Sequence, residues 1–137
     1  MRGVNLRWGA SGQGKTNIVG ALQCGLLVLA PGFIDAHTHV EEEIERHPEA
    51  ANFLRDGVTT VVTGNCGSSR TDLAAFFARL ESLRPGPNVA SLIGHNAVRR
   101  QVMGVEARRA DARELAAMRA LVETAMRDGA VGLSTGL

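Results

Sequence analysis

The chain has 137 residues, 45% of them hydrophobic, and a formal net charge of +1 from 15 basic and 14 acidic side chains. That is enough apolar material for one globular core, and so even a balance excludes an electrostatic case for nucleic acid or an anionic membrane as partner. The two cysteines, Cys24 and Cys66, are far apart and unpatterned, which excludes a disulfide framework and favours a reducing, cytoplasmic setting.

Residues 1–24, rich in glycine and polar side chains, read as a separate leader, and residues 25–137 as one domain. The apolar stretch over 17–30 is too short to span a bilayer. It runs through Pro31-Gly32 straight into another apolar segment, where a secretory signal would carry a small-residue cleavage site. Extended segments are predicted at 26–29 and 33–40, and strands at Val58–Thr63, 89–93 and 131–134. Helices are predicted between them. A short one over 49–55 stops at Asp56-Gly57, and one over 71–83 spaces Leu73, Phe76, Phe77 and Leu80 helically before Pro85-Gly86-Pro87. The third, over 111–127, opens with Asp111 and Glu114 at capping-box spacing, carries Leu115, Met118, Leu121, Val122 and Met126 as its apolar stripe, and stops at Gly129.

Strand and helix in strict succession argue for parallel strands joined by right-handed crossovers, an α/β fold. Asp-Gly recurs before two of the strands, at Asp56-Gly57 and Asp128-Gly129, as a repeated βα unit would have it. A complete eight-stranded barrel takes about 250 residues. About four βα units fit here, so the expected architecture is a partial (β/α)8 TIM-type barrel, roughly its first half, behind a vestigial N-terminal leader.

Four segments are candidates for chemistry. In Phe33-Ile34-Asp35-Ala36-His37-Thr38-His39, the two-residue alternation of a strand would put Asp35, His37 and His39 on one face. Two imidazoles near a strand's C-terminal end can reach one metal at a barrel mouth, or can be strand-end polar groups bonded to their neighbours. Gly64-Asn65-Cys66-Gly67 follows the next strand directly. A thiolate beside imidazole suits zinc, and flanking glycines permit close backbone approach; the alternative is an inert buried cysteine. Gly94-His95-Asn96-Ala97-Val98-Arg99-Arg100 reads as a loop. His95, Asn96 and Arg99 are candidates there for a substrate amide or carboxylate, against a plain solvated loop. Glu41, Glu42, Glu43 and Glu45 read mostly as a solvated loop, with one carboxylate left open as a group facing the metal, and His47 as a surface residue.

A rival motif lies in the leader. Gly9-Ala10-Ser11-Gly12-Gln13-Gly14-Lys15-Thr16 matches the phosphate-binding pattern G-x-x-x-x-G-K-[ST] letter for letter, the mark of a nucleotide-binding protein. Its setting is poor. The preceding segment offers Val4, Leu6 and Trp8 among the charges of Arg2 and Arg7, and the stretch up to Ala30, at best a short helix, is cut by Pro31-Gly32.

Taken together, Ala30-Pro31-Gly32-Phe33-Ile34-Asp35-Ala36-His37-Thr38-His39, the block from Asp56 to Gly67, Leu92-Ile93-Gly94-His95-Asn96 with Arg99, and the closing Gly129-Ala130-Val131-Gly132-Leu133-Ser134-Thr135-Gly136-Leu137 resemble the N-acyl-D-amino-acid deacylase (D-aminoacylase) branch of the amidohydrolase superfamily. The resemblance implies a (β/α)8 barrel carrying a small β-sandwich, with zinc at the barrel mouth. His37 and His39 fall on the family's histidine pair, and Cys66 on its cysteine metal ligand. The implied reaction is hydrolysis of the amide of a small-molecule N-acyl-D-amino acid by zinc-activated water, a base taking the proton. The remaining metal histidines and the general-base aspartate belong to later strands in the family. The chain is therefore expected to be a truncated product, inactive by itself, with an open sheet edge available for self-association.

Overall fold

The computed structural model describes residues 18–23 and 26–136. Strands β1 (Ile18–Gln23) and β2 (Leu26–Pro31) form an antiparallel hairpin in unbroken register, with Ile18 opposite Pro31 and Gln23 opposite Leu26. The expected end of the leader, residue 24, lies outside the described residues, between these two paired strands. The hairpin also weakens the nucleotide reading. A phosphate-binding loop delivers its phosphates to a helix N-terminus, whereas the segment after residues 9–16 is a strand; those residues themselves lie outside the described ones.

Strand β3 (Phe33–Asp35) is shorter than the extended run expected over 33–40. The Asp35 carboxylate accepts a hydrogen bond from the His37 backbone N–H at 3.2 Å, the local turn by which aspartate ends a regular segment. Helix α1 (Glu43–Arg46) is a single turn in place of the expected loop, with Arg46 paired to Glu42 and Glu43 on its exposed side and Ile44 buried beneath. Helix α2 (Ala51–Arg55) leads through Asp56-Gly57 into β4 (Val58–Thr63), which pairs in parallel with β3. Along β4 the buried residues Thr59, Val61 and Thr63 alternate with half-buried ones, the period of a strand covered by helices on one face.

Helix α3 (Leu73–Leu83) starts at Asp72, whose carboxylate accepts from the Ala75 N–H at 3.0 Å, and buries Leu73, Phe76 and Leu80. It ends where Arg84 turns left-handed ahead of Pro85. Strands β5 (Asn88–Ser91) and β6 (Ile93–Gly94) are one strand interrupted at Leu92. At that residue its pairing passes from one neighbour to the other: Leu92 N–H donates to the Thr63 carbonyl, and Ile93 N–H to that of Gly132. Helix α4 (His95–Met103) and helix α5 (Ala112–Arg127) pack together, and β7 (Leu133–Ser134) closes the described chain beside β6. The Asp111–Glu114 capping box is formed as its spacing predicts.

The parallel strands therefore lie in sequence order, β3, β4, β5 with β6, then β7, joined by helices. This is an α/β fold, and the described strands do not close into a barrel. The core lies between the sheet and the helices, where Val61 and Ile93 meet Leu73, Phe76, Leu80, Val98 and Met118. No helix among the described residues is long and apolar enough to cross a membrane.

Candidate metal centre

His37, His39 and Cys66 come together at the C-terminal ends of β3 and β4, with their ligand atoms all within 4.8 Å of one another. His37 Nε2 stands 3.2 Å from Cys66 Sγ, and the two imidazole rings are 5.5 Å apart, edge to face. Two donors on one tetrahedral zinc, with Zn–N of about 2.0 Å and Zn–S of about 2.3 Å, are separated by about 3.3–3.6 Å. The His37–Cys66 spacing is close to that, and the His39 donor lies within 4.8 Å of both. A hydrogen bond between His37 and Cys66 alone would not require His39 beside them. All three residues are exposed among the described residues.

The convergence does not come from strand alternation, since β3 has ended at Asp35. Thr38, buried between the two histidines, fastens the turn: its backbone N–H and its hydroxyl both donate to the Val62 carbonyl, at 3.0 and 2.8 Å. The buried Asn65 side chain donates to the same carbonyl at 3.0 Å and to the Thr38 carbonyl at 3.4 Å. One end of β4 is thereby stapled to both donor loops. With Thr38 turned inward, the histidines on either side of it are turned out.

The cysteine loop is held equally tightly. Glu41 accepts from the Gly64 N–H at 2.8 Å, so the acidic run does reach the site, through the backbone and not as a member of the donor cluster. Gly64 has φ +78°, and a Cβ there would lie 2.1 Å from the Leu92 carbonyl oxygen, which leaves glycine as the residue that fits. Cys66 itself takes φ +54°, a left-handed conformation that a side-chain-bearing residue adopts when its surroundings impose it. Thr38 and Asn65 were not apparent as site residues from spacing, whereas Glu41 belongs to the acidic run of which one carboxylate was left open. Their position inside or beside the two motifs was the available signal.

His95, Asn96 and Arg99 lie on the first turns of α4, not on the expected loop. Ala97 N–H donates to the Gly67 carbonyl at 3.0 Å, which sets that helix start against the cysteine loop. His95 is exposed with Nδ1 3.3 Å from Asn96 Oδ1, and Asn96 lines a cleft of about 460 Å³ with Gly67, Ser69 and Arg100. Arg99 is half-buried and points its side chain at the chain that follows α4. Its guanidinium donates to the carbonyls of Glu106 and Arg108 and approaches the Met103 sulfur, so it fastens the segment between α4 and α5. Next to it, hydrogen bonds from Arg108 and from the Asp111 backbone pull the Glu114 carboxyl down to about 2, and the same pairing raises Arg108 above the usual arginine range.

No family model matches the chain. Curated relatives do. A D-aminoacylase of Alcaligenes xylosoxydans xylosoxydans is 41% identical over 133 residues, which takes in 80% of this chain and 28% of the relative. The crystal structure of D-aminoacylase that defines a novel subset of amidohydrolases superposes with a TM-score of 0.71 at 34% identity, over 77% of this chain and 27% of that one. The chain belongs to the D-aminoacylase branch of the amidohydrolases. Other D-aminoacylase-branch proteins agree. The N-acyl-D-glutamate deacylase of Alcaligenes xylosoxydans xylosoxydans is 36% identical over 138 residues, 85% of this chain and 28% of that one. The N-acyl-D-glutamate deacylase from Bordetella bronchiseptica, complexed with zinc and a phosphonate mimic of the tetrahedral intermediate, superposes with a TM-score of 0.74 at 36% identity, over 78% of this chain and 27% of that one. The chain spans about a quarter of the length of the curated D-aminoacylase relatives it matches.

Proposed function

We propose that His37, His39 and Cys66 hold zinc at the mouth of a partial (β/α)8 barrel, four of whose strands this chain supplies, and that the site serves hydrolysis of the amide bond in N-acyl-D-amino acids. The observation that carries the reading is the meeting of three soft or borderline donors from two different strand ends on one exposed spot. Bound there, zinc would supply Lewis-acid polarisation of an amide carbonyl and activation of water. The chain's own residues hold and orient: Thr38 and Asn65 fix the two donor loops to β4, and His95 and Asn96, on the helix start set against the cysteine loop, are the groups assigned to an acyl or carboxylate group of the substrate. The donor cluster contains no carboxylate to take up a proton. Proton uptake then falls to a group outside that cluster, and the chain by itself is expected to bind metal without turning substrate over.

Cobalt substitution tests the donor set. Titrating the purified chain with Co²⁺ should produce thiolate-to-cobalt charge-transfer absorbance that Cys66→Ser abolishes and His37→Ala or His39→Ala weakens. No such band in the wild-type chain would sink the metal reading. Release of free D-amino acid from N-acetyl-D-amino acids by the same preparation would contradict the statement that the chain is inactive alone.

A second reading concerns association. The outer strands of the ladder expose large apolar side chains: Phe33 and Ile34 in β3 are 59% and 67% exposed, and Val131 and Leu133 beside and in β7 are 60% and 51% exposed. Unpaired, apolar strand edges are templates for another chain. Self-association through these edges is expected, and a monomer across the concentration range in size-exclusion chromatography with light scattering would rule it out.

A further inference from the structure

We infer that Ser134 is a positioning residue for the Cys66 sulfur, clamping the turn that carries the cysteine and so setting the affinity of the metal centre. The inference rests on His37, His39 and Cys66 being metal donors. Ser134 is buried at the end of β7, about seventy positions from the loop it touches. Its hydroxyl donates to the Gly64 carbonyl and accepts from the Gly67 N–H at 3.0 Å. One oxygen thus grips both ends of Gly64-Asn65-Cys66-Gly67. A serine hydroxyl has a single proton, and this one is committed to Gly64 while one lone pair takes the Gly67 N–H, so both bonds of the clamp run through the same atom.

The residues around Ser134 act in the same direction. A Cβ on Gly136 would lie 2.1 Å from the Cys66 carbonyl oxygen, so the backbone after β7 forms a floor directly beneath the cysteine. Glu41 holds the Gly64 N–H from the opposite side. Between these grips Cys66 keeps its left-handed φ of +54°, a conformation that relaxes toward ordinary backbone regions once the restraint is lost. Relaxation at that residue swings the Cα–Cβ bond and carries the sulfur away from His37. Groups that orient a ligand in this way are typically worth about 10- to 100-fold in metal affinity.

The test compares Ser134→Ala and Ser134→Thr in the full chain, each with Cys66 and with Cys66→Ser. Cobalt affinity and thiolate-to-cobalt absorbance are read beside melting in chelator. Ser134→Ala should weaken cobalt binding by roughly 10- to 100-fold and diminish the band. Ser134→Thr, which keeps the hydroxyl, should restore both. With Cys66→Ser in place, Ser134→Ala should change the residual affinity no further. Wild-type affinity in Ser134→Ala, or an equal loss with and without Cys66, would overturn the inference while leaving the metal reading intact; a wild-type chain with no cobalt band would remove the metal reading itself, and Ser134's role with it. Should Ser134→Ala fail to fold, Ser134→Gly is compared with Ser134→Thr under the same two outcomes.

Discussion

Replacing Asn65 by alanine cuts the staple between the histidine turn and the cysteine loop, and its effect divides into two parts that can be measured separately. In the metal-free chain the change removes a 3.0 Å hydrogen bond to the Val62 carbonyl and a 3.4 Å one to that of Thr38. Val62 remains satisfied by the Thr38 N–H and hydroxyl. The Thr38 carbonyl loses its side-chain donor in buried surroundings. One net hydrogen bond plus part of a desolvation penalty amounts to about 1–2 kcal/mol, a fall of roughly 4–8 °C in a domain of this size. The second part appears when zinc is added. A 10- to 100-fold loss of affinity removes about 1.4–2.7 kcal/mol from the stabilisation given by a fixed excess of zinc. Thermal melts in chelator and in excess zinc, on wild type and variant, separate the two. Asn88→Ala is the control, because its amide bonds to Thr59 and Thr60 lie at the opposite end of β4. It should lower the metal-free midpoint and leave the zinc increment alone. If Asn65→Ala shows the wild-type zinc increment, the staple does not organise the donors, and the account of how they converge is wrong.

Glu114, held at about 2 by Arg108 and the Asp111 backbone, contributes stability that is fully present above its ordinary value near 4.5 and is lost as pH falls through about 2. The stability gap between wild type and Glu114→Ala should therefore be constant from pH 7 to 5 and close toward pH 2 in chemical denaturation; a gap independent of pH over that range would refute the assignment. Leu73→Ala empties a fully buried position between α3 and the sheet and should cost about 2–5 kcal/mol, read as a shift in the denaturation midpoint. Arg99→Ala should leave cobalt affinity unchanged while speeding proteolysis between α4 and α5, since its donors hold the carbonyls of Glu106 and Arg108; an altered metal affinity with unchanged proteolysis would reverse that reading.

The sequence by itself determined those features whose cause is local. The apolar spacing of α3 and α5, the Asp111–Glu114 cap and the β-branched run of β4 are set by residues within a few positions of one another, and each formed where its pattern lies. Helix α4 was not legible in the same way. It has no side-chain cap, its N-cap being Gly94, and it buries just Val98 and Met103, so its register is imposed by the sheet and α5. The donor residues were visible as motifs, but the route by which they meet was not. Alternation along a longer strand was the expected cause, whereas the actual cause is a set of hydrogen bonds from Thr38 and Asn65 to one carbonyl, across separations of up to 24 residues. The contacts of Arg99 and Ser134 show the same limit: neither the hold of Arg99 on the carbonyls of Glu106 and Arg108 nor the grip of the Ser134 hydroxyl on the cysteine turn is written in the motifs that contain them. A local pattern fixes which face of an element is apolar; which distant backbone group a polar side chain meets is decided when the elements pack, because that bond forms solely where the folded chain brings donor and acceptor within about 3 Å.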